Sequence, residues 1–489
     1  MEASRRADSS LEISPSAAET GAARSDQAPG SEQDKKPAAR SSASYLERQN
    51  RIESNARSYP RRLPIALKSG RGVRVVDVDG REYIDCLSGA GSLALGHSHP
   101  EISEALHKAL LDEAPLQTLD LPTPLKERFI DELIATLPDE FAADARIQFC
   151  GPSGADAIEA ALKLVKTATG RRGVLCFHGS YHGMTSGALG LTGAIAAKAA
   201  VGLSAESQFL PFPSDYRCPF GLGGTAGATV GAAYIETLLD DPNSGVCAPA
   251  AVILEIVQGE GGINPAPDDW LRAVRAMTSR RGIPLIIDEV QTGLGRTGRL
   301  FAFERAGVRP DVVVLSKAIG GGLPLSVVVY HRDLDVWKPG AHAGTFRGNQ
   351  LAFAAGAAAI RHVRAHRLDL HAEAMGQRLM AALDRVAATK SSIGNVRGRG
   401  LMIGVEFVES QNSAPGSRPP PAHPAMARHV QAECLRRGLI VELGGRFGAV
   451  VRFLPPLIVS ANEIDEIAAR FEDAVAAAQS RAATASRLS

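Results

Sequence analysis

Two apolar segments of the sequence end at a charged side chain, and each charge needs a partner. Residues 284–288 (PLIID) end in Asp288, and residues 311–316 (DVVVLS) run directly into Lys317 and a glycine-rich turn. A buried strand that ends in a lone carboxylate or ammonium is costly unless the charge is compensated. A pyridine aldehyde supplies both partners, because the aldehyde condenses with the lysine and the protonated ring nitrogen pairs with the aspartate. Alternatively, Asp288 caps a turn and Lys317 is a solvated strand end.

A third segment offers a place for a phosphate. Residues 151–163 (GPSGADAIEAALK) follow the strand-like residues 146–150 (RIQFC) and continue as a helix. A Gly/Ser turn at a helix N-terminus presents free N–H groups and the positive end of the helix dipole. A serine N-cap followed by an acid explains the same residues, and both interpretations can hold. Strand, phosphate turn, aspartate and lysine in this order indicate pyridoxal phosphate.

Two other patterns in the sequence have less support. Residues 293–298 (GLGRTG) match a dinucleotide fingerprint, but the first glycine is not at a strand end and no suitably placed acid follows, so a dehydrogenase is not expected. His178 and His182 have a four-residue spacing without the further ligands of a zinc site, so no metal is expected. Tyr181, between them, could stack on a pyridine ring or be an ordinary core tyrosine.

Composition narrows the class of protein. The 489 residues carry a formal net charge of +1, which argues against a nucleic-acid partner. The six cysteines show no paired spacing, as expected for buried thiols in the cytoplasm. No apolar run is long enough to cross a membrane.

The order of elements predicts an α/β fold with a mainly parallel sheet. Short apolar runs separated by helical segments suit strands buried on both faces. A hairpin is expected around Asp79-Gly80, and a terminal helix from Ala461. The expected divisions are a disordered tail over residues 1–44, the first part of a small domain over 45–95, a large cofactor-binding domain over 96–355, and the rest of the small α+β domain over 356–489.

Residues 57–456 resemble the class III, or ornithine/γ-aminobutyrate, aminotransferases of fold type I. The most specific blocks are residues 285–298 (LIIDEVQTGLGRTG) and 315–324 (LSKAIGGGLP). The resemblance implies that Lys317 carries pyridoxal phosphate as a Schiff base and moves the proton, while Asp288 holds the pyridinium. It further implies that Gln291 contacts the ring hydroxyl and that Val290 and Tyr181 pack on the two ring faces. The residues that would hold the phosphate are Ser153, Gly154 and Ala155.

The same resemblance extends to substrates and to a partner subunit. Thr345 matches a threonine that reaches the phosphate of the neighbouring subunit, which implies a homodimer with shared active sites. Arg452 matches the arginine that binds the α-carboxylate of glutamate or 2-oxoglutarate. Glu255 and Glu260 match acids near that arginine, one of which masks it when an ω-amine enters.

Within the class, the chain is most similar to the diaminobutyrate–2-oxoglutarate aminotransferases of the siderophore and ectoine type. The similarity lies in residues 117–126, 151–156, 181–185 and 342–350. It implies transfer of the terminal amino group of L-2,4-diaminobutyrate to 2-oxoglutarate, or the reverse. Met184 departs from the arginine of ornithine and γ-aminobutyrate enzymes, so the group that binds the distal carboxylate of 2-oxoglutarate stays open.

The same residues are compatible with several alternative functions. The alternatives are another class III enzyme acting on ornithine, γ-aminobutyrate or another ω-amine, a different reaction of the same cofactor such as that of a racemase, mutase or decarboxylase, and a non-enzymatic regulator on this fold.

Overall fold

Helices and strands alternate through a computed structural model of the chain, which describes residues 40–203, 206–409 and 418–488. The helices are α1 (Ser42–Ile52), α2 (Tyr59–Arg62), α3 (Ser88–Gly91), α4 (Pro100–Leu111), α5 (Pro124–Ile134), α6 (Asp139–Ala142), α7 (Gly154–Thr169), α8 (Ser186–Leu191), α9 (Ile195–Val201), α10 (Gly224–Asp240), α11 (Asp268–Arg280), α12 (Gln350–Ala365), α13 (Leu368–Ala388), α14 (Pro424–Arg436) and α15 (Ala461–Leu488). The strands are β1 (Leu67–Arg71), β2 (Arg74–Asp77), β3 (Glu82–Asp85), β4 (Ala145–Phe149), β5 (Val174–Phe177), β6 (Ser207–Leu210), β7 (Ala251–Leu254), β8 (Val257–Gln258), β9 (Asn264–Pro265), β10 (Leu285–Asp288), β11 (Val312–Leu315), β12 (Val327–His331), β13 (Ile393–Arg399), β14 (Met402–Phe407), β15 (Leu439–Ile440), β16 (Glu442–Gly444) and β17 (Val450–Phe453).

The expected mainly parallel sheet is confirmed. Its seven strands lie in the order β4-β12-β11-β10-β7-β5-β6. Strand β12 runs antiparallel to both of its neighbours, while the other pairings are parallel. Strands β5, β7, β10 and β11 are buried along their whole length, which explains their near-continuous apolar sequences.

The strand directions bring six connecting segments to one edge of this sheet. Strands β4, β5, β6, β7, β10 and β11 all point the same way, so the residues that follow their carboxyl ends lie at that edge. Ligands of open α/β sheets bind at this edge. It is therefore the place to look for a functional site.

Two smaller sheets contain strands from distant parts of the chain. The expected hairpin around Asp79-Gly80 forms from β2 and β3, and β15 pairs in parallel with β3. A second sheet has the order β13-β14-β17-β16. The predicted division into a large and a small domain stays a prediction.

The N-terminal tail predicted over residues 1–44 lies outside the described residues up to position 39. The described chain is already helical before the predicted boundary at Tyr45, because α1 begins at Ser42. The Ser41 hydroxyl accepts the Ser44 N–H at 3.3 Å, and the Ser42 N–H donates to the Asp79 carboxylate at 3.2 Å. No helix within the described ranges combines the length and apolar character needed to cross a membrane.

Candidate active site

Lys317 and Asp288 lie on neighbouring strands and face one pocket. Asp288 is the last residue of β10 and pairs in register with Val314 of the parallel strand β11. Lys317 follows β11 after one intervening residue, Ser316. Both side chains line a pocket of about 300 Å³. The two charges that the sequence singled out are therefore brought together.

Lys317 has an unusual backbone conformation and a side chain without a partner. Its φ of +50° lies in the left-handed region, which a lysine adopts only where the surrounding structure enforces it. Burial lowers the pKa of Lys317 below its usual value, and Arg452 lowers it further, although Glu260 and Asp288 act to raise it. Within the described residues its side-chain nitrogen makes no hydrogen bond or ion pair. A lysine whose pKa is lowered loses its proton more readily, and the deprotonated amine is a nucleophile.

Asp288 has a buried partner that sequence analysis did not assign to the site. His182 Nδ1 lies 2.7 Å from Asp288 Oδ2, and the imidazole is fully buried. Burial lowers the pKa of His182, but the hydrogen bond and the charge of Asp288 outweigh it and raise the pKa above its usual value. The Val290 N–H donates to Asp288 Oδ1 at 3.0 Å. The carboxylate is thus fixed in orientation from two sides.

The start of α7 offers unpaired donors to the same pocket. The Ser153 side chain is the N-cap and accepts the Asp156 N–H at 3.3 Å. Ser153, Gly154 and Ala155 line the pocket, and the hydrogen bonds of the described residues leave the Gly154 and Ala155 N–H groups without an acceptor. Free N–H groups at the positive end of a sixteen-residue helix suit a phosphate.

Tyr181, Val290 and Gln291 also line the pocket. Tyr181 is 38% exposed, and its backbone N–H donates to Glu255 at 2.9 Å. Gln291 donates from Nε2 to the Ala90 carbonyl at 3.1 Å. Gln291 Oε1 is buried and has no hydrogen-bond donor among the described residues.

Arg452, on β17, is buried completely and faces two acids. Its Nη2 lies 2.7 Å from Glu260 and 2.8 Å from Glu442. Burial lowers the pKa of Arg452, but Glu260 and Glu442 outweigh it and raise the pKa above its usual value. Glu442 stands directly opposite Arg452 on β16 and accepts a hydrogen bond from the Tyr59 hydroxyl at 2.8 Å. Sequence analysis missed Glu442, and the register of the β16–β17 hairpin is the signal that could have found it.

Of the two glutamates predicted near Arg452, the structure joins only Glu260 to it. Glu255 instead accepts the N–H groups of Tyr181 and Gly259, each at 2.9 Å. Burial raises the pKa of Glu255 to about 7. Its described contacts make Glu255 a support for the loop that carries Tyr181.

Thr345 is not part of this pocket. It begins the 3-10 turn Thr345–Gly348, its side chain is exposed, and it is absent from the residues that line the pocket. Its predicted role, contact with a phosphate in a second subunit, requires a partner chain and stays a prediction.

The chemistry of the pocket fits a phosphorylated pyridine aldehyde. Asp288 offers a buried carboxylate for a protonated ring nitrogen, and Lys317 an amine for an aldehyde. The buried Gln291 Oε1 needs a donor, which a ring hydroxyl would supply. The unpaired N–H groups of α7 need an anion, which a phosphate would supply.

Comparison with known proteins gives one family over most of the chain. The family described as aminotransferase class-III matches residues 55–475. A diaminobutyrate–2-oxoglutarate aminotransferase of Rhizobium meliloti is 58% identical over 435 residues, covering 88% of this chain and 93% of the relative. Another protein of the same name, from Haemophilus influenzae, is 48% identical over 433 residues and covers 88% of this chain and 94% of the relative.

Solved structures show the same fold. Ornithine aminotransferase of Toxoplasma gondii superposes with a TM-score of 0.75 at 26% identity, covering 91% of this chain and 96% of that structure. A PLP-bound amine transaminase from an uncultivated Pseudomonas species gives a TM-score of 0.77 at 27% identity, covering 87% of this chain and 98% of that structure.

Proposed function

The chain belongs to the class III aminotransferases, which use pyridoxal phosphate, and we propose that it transfers the terminal amino group of L-2,4-diaminobutyrate to 2-oxoglutarate. The product would be aspartate 4-semialdehyde, and the reverse reaction would use glutamate. Family membership favours this reaction over the racemase, mutase, decarboxylase and regulator alternatives. The observation that carries the proposal is the pairing of Arg452 with Glu260 beside the pocket of Lys317 and Asp288.

When bound, pyridoxal phosphate supplies an aldehyde that condenses with amines and a pyridinium ring that withdraws electrons. We assign Lys317 the covalent attachment and the proton transfer: Nζ takes the proton from the substrate carbon that bears the amine and would deliver it to the carbon that the cofactor's aldehyde group supplies. Asp288, oriented by His182, keeps a negative charge beside the ring nitrogen. Val290 and Tyr181 would lie on the two ring faces.

The other pocket residues bind and orient. Ser153, Gly154 and Ala155 are assigned to the phosphate through the N-terminus of α7, and Gln291 to the ring hydroxyl. These contacts fix the ring relative to Lys317, and correct positioning is a large part of what an active site contributes to the rate.

Arg452 and its acids account for the use of two different substrates. While diaminobutyrate is bound, Glu260 neutralises Arg452, so the α-carboxylate is not drawn to the reacting end. For 2-oxoglutarate, Glu260 has to leave so that the α-carboxylate can pair with Arg452. The Glu260 side chain is 41% exposed and free to turn away, whereas Glu442 is 6% exposed and held by Tyr59.

The identity of the amine is tested by comparing donors. Met184 lines the pocket and is 57% exposed, and its thioether cannot itself bind a substrate carboxylate as an arginine at this position would. We expect kcat/KM for 2,4-diaminobutyrate to exceed that for ornithine and 4-aminobutyrate by at least about tenfold, which corresponds to roughly 1.4 kcal/mol. Steady-state rates with each donor and 2-oxoglutarate measure this. Equal rates with ornithine would refute the narrow assignment and leave the class.

We further propose a homodimer with shared active sites. Exposed apolar side chains lie on the turn that carries Thr345 and on the segment bonded to it: Leu116, Leu119, Leu121 and Phe346. The Thr118 N–H donates to the Gly348 carbonyl at 3.2 Å, which ties this leucine-rich segment to the turn. An apolar surface of this kind suits burial against a second copy, whose pocket Thr345 would then reach.

A further inference from the structure

A second, larger cavity adjoins the pocket of Lys317. It has a volume of about 700 Å³ and shares Tyr181 and Glu260 with that pocket. Its other walls are the loop after β5, the start of α9, and the turn between β16 and β17. A substrate that reacts at Lys317 can therefore extend past Tyr181 into this cavity.

Arg446 is the cation in this cavity that has no partner among the described residues. Lys198 donates to the Gly190 carbonyl at 3.1 Å and lies 4.0 Å from the centre of the Phe209 ring. Burial and the charge of Arg446 lower the pKa of His178 below its usual value, which disfavours a charged imidazole there. The Arg446 guanidinium makes no hydrogen bond or ion pair within the described part of the chain.

Two other arginines near Arg446 already have ion-pair partners. Arg217 and Arg397 line a small adjoining cavity with Arg446, and both pair with Glu406. Among the described arginines that line these two cavities, Arg446 is thus the one whose guanidinium is not already engaged.

The turn that carries Arg446 is held next to Glu260, the acid that pairs with Arg452. The Gly445 N–H donates to the Glu260 carbonyl at 2.9 Å. Phe447 has a φ of +64°, an unfavourable conformation for an aromatic residue, and is 80% exposed at the mouth of the cavity. Backbone strain held at a ligand cavity is typical of residues whose position matters for binding.

The two proposed substrates present a carboxylate at the same distance from the reacting carbon. In 2-oxoglutarate the distal carboxylate carbon lies three bonds from the carbon that accepts the amine, and in 2,4-diaminobutyrate the α-carboxylate carbon lies three bonds from the carbon that donates it. In ornithine this distance is one bond longer. 4-Aminobutyrate shares the three-bond distance and lacks only the α-ammonium of diaminobutyrate, so a carboxylate receptor does not by itself distinguish these two donors.

We propose that Arg446 is the receptor for this carboxylate in both half-reactions, in the place of the arginine that Met184 replaces. The inference rests on the proposed function for the pair of substrates. Arg452 takes the carboxylate on the reacting carbon of 2-oxoglutarate, and Arg446 takes the one three bonds away. A planar guanidinium binds a carboxylate through two parallel hydrogen bonds, so lysine is only a partial substitute.

The test compares two oxo acids that differ only at the distal end. Enzyme in the amino form, generated with any donor that reacts, is mixed with 2-oxoglutarate or with 2-oxopentanoate, in which a methyl group replaces the distal carboxylate. Return of the cofactor absorbance gives kcat/KM for each. We expect Arg446→Gln to lower the value for 2-oxoglutarate at least about 30-fold and that for 2-oxopentanoate far less, and Arg446→Lys to be intermediate.

Lys198→Gln is the matched control. It removes a cation from the same cavity, but one whose ammonium already donates a hydrogen bond within the protein. It should leave the ratio between the two oxo acids nearly unchanged. Equal losses for both oxo acids in Arg446→Gln, or the same change of ratio in Lys198→Gln, would overturn the proposal. If the ratio changes as expected but diaminobutyrate is not a donor, the subsite stands and the assignment of the amine fails.

Discussion

Replacing Lys317 with alanine is expected to lower turnover by at least about four orders of magnitude and to remove the near-visible absorbance of lysine-bound pyridoxal phosphate. No other lysine is among the residues that line the pocket, so none can supply the covalent attachment or the proton transfer assigned to Nζ. The fold should persist, because the ammonium has no hydrogen bond or ion pair among the described residues. Absorbance spectra, steady-state rates and circular dichroism measure the three outcomes.

Lys198→Gln again serves as the control, since Lys198 lines the neighbouring cavity and not the pocket. It should keep both the absorbance and most of the activity. A Lys317→Ala protein with substantial turnover would show that another amine carries the cofactor.

Replacing Asp288 with asparagine should lower kcat by at least about two orders of magnitude. Asparagine keeps the size of the side chain and can still bond to His182, but it removes the negative charge beside the ring nitrogen. A preorganised charge in a buried site contributes on this scale to a transition state. Without this charge the ring nitrogen would be protonated less readily, and a neutral ring withdraws electrons less strongly, while binding of the phosphate at α7 would be little changed.

Glu289→Gln is the matched control for this charge. Glu289 is the next residue, equally buried, and absent from the lining of the pocket. Burial raises its pKa to about 8, so its carboxyl is largely neutral at pH 7 and glutamine is close to isosteric with it. Turnover should therefore change little in Glu289→Gln. An unchanged rate in Asp288→Asn would mean that another group holds the ring nitrogen.

The parts of the site that lie along single segments were predictable from sequence. A strand that ends in Asp288, a strand followed by Lys317 and a Gly/Ser turn at Ser153 each show their chemistry locally. The parallel direction of β10 and β11 then brings the first two together without further information. The direction of β12 was not predictable, because its run of valines resembles the apolar runs of the parallel strands in the same sheet.

Contacts between distant segments could not be predicted in the same way. His182 meets Asp288 across 106 positions of sequence, and its spacing to His178 pointed only to a rejected metal site. Glu442 and Glu255 show that a run of acids does not reveal which of them meets Arg452. Glu442 reaches Arg452 through strand register, whereas Glu255 accepts the backbone N–H groups of Tyr181 and Gly259. The predicted role of Glu255 in substrate binding stays a prediction.

Transfer of labelled nitrogen tests the central claim most directly. L-2,4-Diaminobutyrate carrying ¹⁵N only at the 4-amino group is incubated with the enzyme and 2-oxoglutarate, and both products are identified by mass spectrometry. The account predicts that glutamate carries the label and that the carbon product is aspartate 4-semialdehyde. Unlabelled glutamate together with a 2-oxo acid that retains the 4-amino group would show attack at the α-amine and would contradict it.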